Sequence, residues 1–319
     1  MVVIGYHASH EQHSPGELLT LAQLAEAAGF ESAMCSDHLA PWTRGQGHSG
    51  FAWTWLGAAM ATTSIPFGVV NAPGQRYHPV IIAQAIATVE QMFPRRFWVA
   101  FGSGEALNEH VTGDAWPAKV ERQQRLVESV ALIRSLLAGE RVSVDGAIRA
   151  HDARIWSLPV RTSPLLGAAV SPETAGWVAG WSEGLITVGA TPERARAVLG
   201  RYRAARGAGE ARLQIHLSLG DSDDEALAAA RAQWAHSTIP EELLPELDEP
   251  EEFEARIGAS DEALREAVVI DSSTERMAER LARLAEGFDH IYLNHVGQDQ
   301  RAFLRRCEAE LLPALRDLL

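Results

Sequence analysis

Short β-branched and aromatic runs alternate with longer stretches of helical period along this whole chain, and that alternation constrains the fold more than any other feature. The strand candidates are Val2 to Tyr6, Ser32 to Cys35, Phe67 to Val70, Phe97 to Phe101, Leu165 to Val170, Gly184 to Val188, Leu213 to Leu219 and His290 to Leu293. Helices are predicted at Pro15 to Ala28, Phe51 to Thr62, Pro79 to Met92, Lys119 to Leu137, Pro172 to Ala179, Pro192 to Arg206, Asp224 to His236 and Thr274 to Glu286, with a terminal one from Gln300. In the first of these, Leu18, Leu21, Leu24 and Ala25 recur on one face and the period stops at Gly29. Two segments break the rhythm. Arg141 to Ile155 carries the turn signal Asp145-Gly146 and reads as a hairpin, and Ile239 to Ala263 is an acidic, proline-containing insertion over one barrel end. Eight β/α units without a compositional break predict one α/β domain over residues 1–319, a (β/α)8 TIM barrel with insertions.

Composition narrows the possible partners. The chain has 28 Lys+Arg against 42 Asp+Glu, a formal charge of −14, so a nucleic-acid-binding protein, which needs a basic face, is not expected. No apolar run approaches the roughly 20 residues that span a bilayer, and the amino terminus has no basic leader, so we expect an untargeted protein off the membrane. Cys35 and Cys307 lie far apart and suggest reduced thiols and a cytoplasmic setting. Lys119 is the single lysine and stands where a helix should begin, which argues against Schiff-base or pyridoxal chemistry.

In a barrel of this type the site lies at the carboxyl ends of the strands. That rule selects His7 and Glu11, Asp37 and His38, Asn71, Ser103 and Glu105, Gly167, Gly189, and Asn294 with His295. A histidine beside a carboxylate can move protons near neutral pH, and Trp42 is near enough in sequence to cover an aromatic ligand or stabilise positive charge. The plainer reading makes Asp37 a turn cap and His38 a packing residue. Gly102-Ser103-Gly104-Glu105 opens the fourth βα loop, where glycines permit close approach to a flat or anionic ligand and Glu105 would face the cavity of His38. Taken alone, a Gly-Ser-Gly run is a common turn. His7, His10 and His13 lie near Glu11, but neither an H-x-H nor an H-E-x-x-H pattern appears, so no metal is expected. Gly102-Ser103-Gly104 is not a G-x-S-x-G nucleophile elbow. Trp53, Trp55, Trp177 and Trp181 read as helix-to-barrel packing.

These motifs together resemble a known family. His7-Ala8-Ser9-His10-Glu11-Gln12, Ser36-Asp37-His38 with Pro41-Trp42, Arg76-Tyr77-His78-Pro79 and Gly102-Ser103-Gly104-Glu105-Ala106-Leu107-Asn108-Glu109 look like the luciferase-like monooxygenase superfamily. Within it they are nearest the branch containing the deazaflavin-dependent glucose-6-phosphate dehydrogenases, and the likeness runs through to Gly297-Gln298-Asp299-Gln300. The resemblance implies a flavin or 5-deazaflavin ring at the barrel mouth, with hydride moving at its position 5. It implies His38 as the acid or base, Trp42 as stabiliser of a charged intermediate and Glu105 as the complementary proton donor. Asp37, Asn71, Ser103, Gly104 and Asn108 would contact the ring system. The backbone around Gly167-Ala168-Ala169 and Val188-Gly189 would hold the phosphate, and a non-prolyl cis peptide at Val69-Val70 would support the ring face.

Departures from the branch bear on the cofactor and the substrate. Thr191-Pro192-Glu193 and the acidic stretch Glu241 to Glu254 stand where sugar-phosphate dehydrogenases carry basic residues, so glucose 6-phosphate is not expected as a substrate. The polyglutamyl tail of the deazaflavin coenzyme F420 also prefers basic surface. The first two motifs further resemble an FMN-type sub-branch. The resulting expectation is an FMN-dependent oxidoreductase, a dehydrogenase or a monooxygenase fed by a separate flavin reductase, acting on a small organic substrate. F420-dependent hydride transfer and a non-catalytic flavin-binding barrel are the alternatives. Barrels of this family often pair, so a homodimer is expected, with the Phe51 to Thr62 helix as one possible face.

Overall fold

The computed structural model describes residues 2–319. Eight parallel strands close into a barrel: β1 (Val3–His7), β2 (Ser32–Ser36), β3 (Phe67–Asn71), β4 (Phe97–Phe101), then, after the antiparallel hairpin β5 (Val142–Asp145) and β6 (Arg149–Ala153), β7 (Leu165–Ala168), β8 (Gly184–Val188), β9 (Glu210–Leu219) and finally β11 (His290–His295). Closure is made by β8 on β9 and β11 on β1, with Gly184 opposite Glu210 and Val3 opposite His290. The extra strand β10 (Val269–Asp271) adds to the carboxyl end of β9, pairing Val269 with Leu217. The strands are nearly continuous apolar runs because one face packs on helices and the other on the barrel interior.

That interior is filled by Met34, Trp98, Ala100, Leu166, Ile186 and Tyr292. Two glycines make room for the rings: a Cβ on Gly5 would lie 2.4 Å from Tyr292, and one on Gly68 would lie 1.8 Å from Trp98. β9 begins three residues before the apolar run that predicts it. The residue hiding that start is Arg212, buried inside the barrel, where it donates to Tyr292 Oη at 2.9 Å and stacks over Trp98.

The helices Pro15–Ala28, Pro79–Met92, Lys119–Leu137 and Pro192–Arg206 have the predicted bounds. Ser14 caps the first by accepting from the Glu17 N–H, and Gly29 ends it at φ +100°. Helix Ala52–Thr62 buries Trp53 and Trp55 in the core of its own chain, the packing role expected of them.

Two expectations need correction. Among the described residues no peptide bond is cis, and Val69–Val70 is trans. β3 runs in register with both neighbours there, Val69 opposite Cys35 and Val99 and Val70 opposite Ser36 and Ala100, so no bulge forms. The segment 239–263 also does not stay an irregular insertion to its end. It holds the short helix Pro250–Glu254, and from Asp261 it enters a helix to Ala267 that leads into β10. β10 escapes a sequence reading because three residues are too few to show a period.

Candidate active site

Exposure along the strands locates the mouth. Ser36, Val70, Ala168 and Val188, at or near the carboxyl ends of β2, β3, β7 and β8, are half-buried on otherwise buried strands, as is the whole run Gly102 to Glu105 after β4. A cleft therefore lies across these five strand ends. The ends of β9 and β11 are buried, with His295 packed against Phe303.

His38 sits at this cleft between two carboxylates. Its Nδ1 is 3.2 Å from Glu11 Oε1, and its Nε2 is 3.9 Å from Glu105 Oε2. Glu11 is buried and also accepts from Ser9 Oγ at 2.9 Å. Burial opposes its ionisation, but the imidazoles of His38 and His7 outweigh burial and hold the carboxyl below its ordinary value. Glu105 is different. Its side chain is about a third exposed at the rim, and the low-dielectric walls raise its carboxyl above the ordinary value, with His38 opposing and Glu11 adding to the rise. The two carboxylates flanking one imidazole are thus pushed in opposite directions, a division suited to acid and base roles.

Trp42 lies edge-on to His38, ring centroids 5.0 Å apart, and stacks on His236 at 5.1 Å with the planes 7° apart. Phe253 closes the far side of the indole. Burial lowers His236 to about 3 and His7 to about 4, so both are neutral at pH 7.

The other predicted residues take varied places. The Asp37 carboxylate faces inward: it accepts from Asn71 Nδ2 at 2.8 Å and Tyr77 Oη at 3.3 Å, and Arg76 lies 3.6 Å away. Arg76 also donates to the Asp37 carbonyl at 2.8 Å and pairs with Glu109, so this group locks the β2 loop to the β3 and β4 loops. Asn108 serves the same end. Its Oδ1 accepts from Leu39 N–H at 2.7 Å, and its Nδ2 donates to Glu105 at 3.3 Å. Val69, Gly167 and Ala169 face the helices, since Val69 and Ala169 belong to the outer core and a Cβ on Gly167 would meet Val178 at 2.7 Å. Val70, Ala168 and Val188 are the half-buried neighbours that reach the cleft, with Ser103 and Gly104; Gly189 is buried beside Ala195. His10 bonds the Gly50 carbonyl and packs on Trp55, and no group of three ligating side chains forms among the described residues.

Two participants lie outside the sequence reading of the site: Arg76, which enters there only as part of a motif, and His236, which enters only as a helix end. Glu11 is selected by the strand-end rule but without a role, because the spacing between β1 and Glu11 carries no period that would aim its side chain.

A planar ring fits this cleft. Buried polar atoms lacking a partner stand at the carboxyl ends of β1, β3 and β11: both nitrogens of His7, Asn71 Oδ1 and Asn294 Oδ1. Gly104, at φ +84°, lets the β4 loop lie close to Ala72 and Trp116, where a Cβ would sit 3.4 Å from each. These donors and acceptors suit the polar edge of a flavin or deazaflavin, with Val70, Ala168 and Val188 against its apolar face.

Barrel, mouth and proton-handling group define a TIM-barrel oxidoreductase. A sequence profile of luciferase-like monooxygenases matches residues 1–300, and the chain belongs to that family. It is similar to the F420-dependent glucose-6-phosphate dehydrogenases of Beutenbergia cavernae, 36% identical over 99% of this chain and 98% of the relative, and of Mycolicibacterium smegmatis, 35% identical over 99% and 98%. Among solved structures it is similar to an F420-dependent secondary alcohol dehydrogenase in complex with an F420–acetone adduct, with a TM-score of 0.92 and 30% identity over 99% of this chain and 100% of that one. The chain is an enzyme of the oxidoreductase class. The expected preference for FMN over F420 finds no support in these relatives.

Proposed function

We propose that this protein is an F420-dependent dehydrogenase that oxidises a hydroxyl-bearing carbon to a carbonyl. The observation that carries the reading is His38 held between Glu11 and Glu105 at the mouth, and the F420-dependent relatives support the cofactor. When bound, the deazaflavin supplies a hydride acceptor at carbon 5 of its ring.

Within the protein, His38 Nε2 takes the hydroxyl proton as the C–H bond yields its hydride. Glu11, 3.2 Å from the opposite ring nitrogen, offsets the charge the imidazole gains. Trp42 limits water at one side of that imidazolium and adds edge-on aromatic contact. Glu105, with its raised carboxyl, supplies the proton that balances the hydride, and solvent at the rim restores it. Asp37, Arg76 and Asn108 keep the β2 and β4 loops in register, so that the three groups converge.

FMN remains a second reading, on one observation. The loops at Gly167–Ala169 and Val188–Gly189 carry no Lys or Arg, which suits a cofactor with one phosphate better than one with a polyanionic tail. Titration calorimetry with each cofactor, followed by loss of the F420 absorbance on adding an alcohol, separates the two. Tight FMN binding with no uptake of F420 would overturn the main reading.

A further inference from the structure

We propose that the acidic segment 239–263 is a specificity device that admits an uncharged alcohol and rejects phosphorylated ones; this rests on the dehydrogenase reading above. The segment carries ten carboxylates and one arginine. Its apolar side, Ile239, Leu247 and Phe253, packs on Leu107 and Trp42, so it is fastened to the same two loops that hold His38 and Glu105.

Its acidic side takes up cations from around the barrel. Arg44 pairs with Glu254 at 2.5 Å and Arg122 with Glu246 at 2.8 Å, while Arg194 pairs with Glu241 and Arg231 with Asp261. His110 lies 3.8 Å from Glu249. These arginines come from four different β/α units, and each now faces a carboxylate. Arg76, beside His38's own loop, is consumed by Asp37 and Glu109. Four external arginines and Arg256 against ten carboxylates leave the segment negative.

The wall against His38 is the neutral Trp42 indole, backed by Phe253 and stacked on His236, whose imidazole is uncharged at pH 7. A phosphate dianion would meet a repulsive field there with no guanidinium on that wall to offset it, whereas a hydrocarbon-flanked carbinol would lie against the indole. The substrate class is therefore an uncharged alcohol with apolar substituents, oxidised to its ketone or aldehyde with hydride passing to the cofactor and the hydroxyl proton to His38.

The test uses the full-length protein loaded with F420 and a panel of 2-propanol, cyclohexanol, glucose and glucose 6-phosphate. We expect kcat/KM for an uncharged alcohol to exceed that for glucose 6-phosphate by at least about 100-fold. Glu246→Gln and Glu241→Gln, which release Arg122 and Arg194, should narrow that ratio by about tenfold or more, and the change should shrink as salt is raised. Tryptophan-fluorescence titration of the protein with cyclohexanol and with glucose 6-phosphate reads selection without turnover. Glucose 6-phosphate binding or reacting as well as the uncharged alcohols, or a ratio indifferent to both substitutions, overturns the inference. Absence of hydride transfer across the whole panel overturns instead the dehydrogenase reading, while the binding ratio still decides selection.

Discussion

His38 has a different neighbour on each of its two nitrogens, and that asymmetry is what single substitutions can test. Replacing His38 with Gln removes the proton acceptor but keeps a polar side chain of related reach. We expect kcat to fall by about 10²–10⁴-fold while the cofactor dissociation constant stays within a few-fold, measured by steady-state kinetics and calorimetry. Unchanged turnover would remove His38 from the chemistry. The raised carboxyl of Glu105 makes a pH prediction with a definite sign. In the direction of alcohol oxidation Glu105 must be protonated, so the rate should decline as pH rises through its elevated pKa, at a point above the ordinary carboxylate range. Glu105→Gln should be slower and should lack that limb; a profile identical to the parent enzyme's would sink the assignment. Some of this was readable beforehand. Asp37, His38, Trp42 and Glu105 follow strand ends and stand out by type, but the inward turn of the Asp37 carboxylate toward Asn71, Tyr77 and Arg76 depends on side-chain direction, which spacing does not encode.

At the scale of elements, the β4 loop and the acidic segment position the site. Gly104 combines φ +84° with a Cβ position 3.2 Å from Glu109 Cγ. Gly104→Ala should cost roughly 1–2 kcal/mol from the left-handed backbone alone and should re-aim Ser103 and Glu105. Weaker cofactor binding by calorimetry is the expected result. Phe253 is fully buried between Trp42 and Leu107. Phe253→Ala should destabilise by about 3–5 kcal/mol if the segment unfolds with the barrel. A loss well below that, in urea unfolding, would show that the segment opens on its own. Barrel strands and long helices were legible because their patterns extend over four to nineteen residues. The helix Asp261–Ala267 and the three-residue β10 were not, since tertiary contact decides them rather than local pattern: Leu264 packs on Ala226, Ala230 and Trp234, and β10 pairs with β9.

For the molecule as a whole, burial of neutral histidines sets the response to acid. Burial lowers His7 and His13 to about 4 and His236 and His295 to about 3, whereas the unfolded chain titrates them near 6.5. Below that value the unfolded state binds protons that the folded state refuses, so stability is complete above about pH 6.5 and declines as pH falls toward the folded values. We expect Tm to drop steadily between about pH 6.5 and pH 4, and His236→Phe to flatten that slope; a Tm independent of pH over this interval would contradict the burial of these imidazoles. The barrel itself was determined by the sequence alone. Eight apolar strands, each followed by a helix, bury both faces of a parallel sheet when right-handed crossovers keep every helix on one side and the sheet closes on itself, and glycines and proline caps mark several of the turns. Closure then does what no linear pattern can. It brings Glu11 from the first unit, His38 from the second, Glu105 from the fourth and His236 from beyond the seventh strand of the barrel to one mouth, and it decides which arginines meet carboxylates and which side chains face inward. Those outcomes depend on strand tilt, loop path and rotamer, quantities set by packing in three dimensions and invisible to residue spacing.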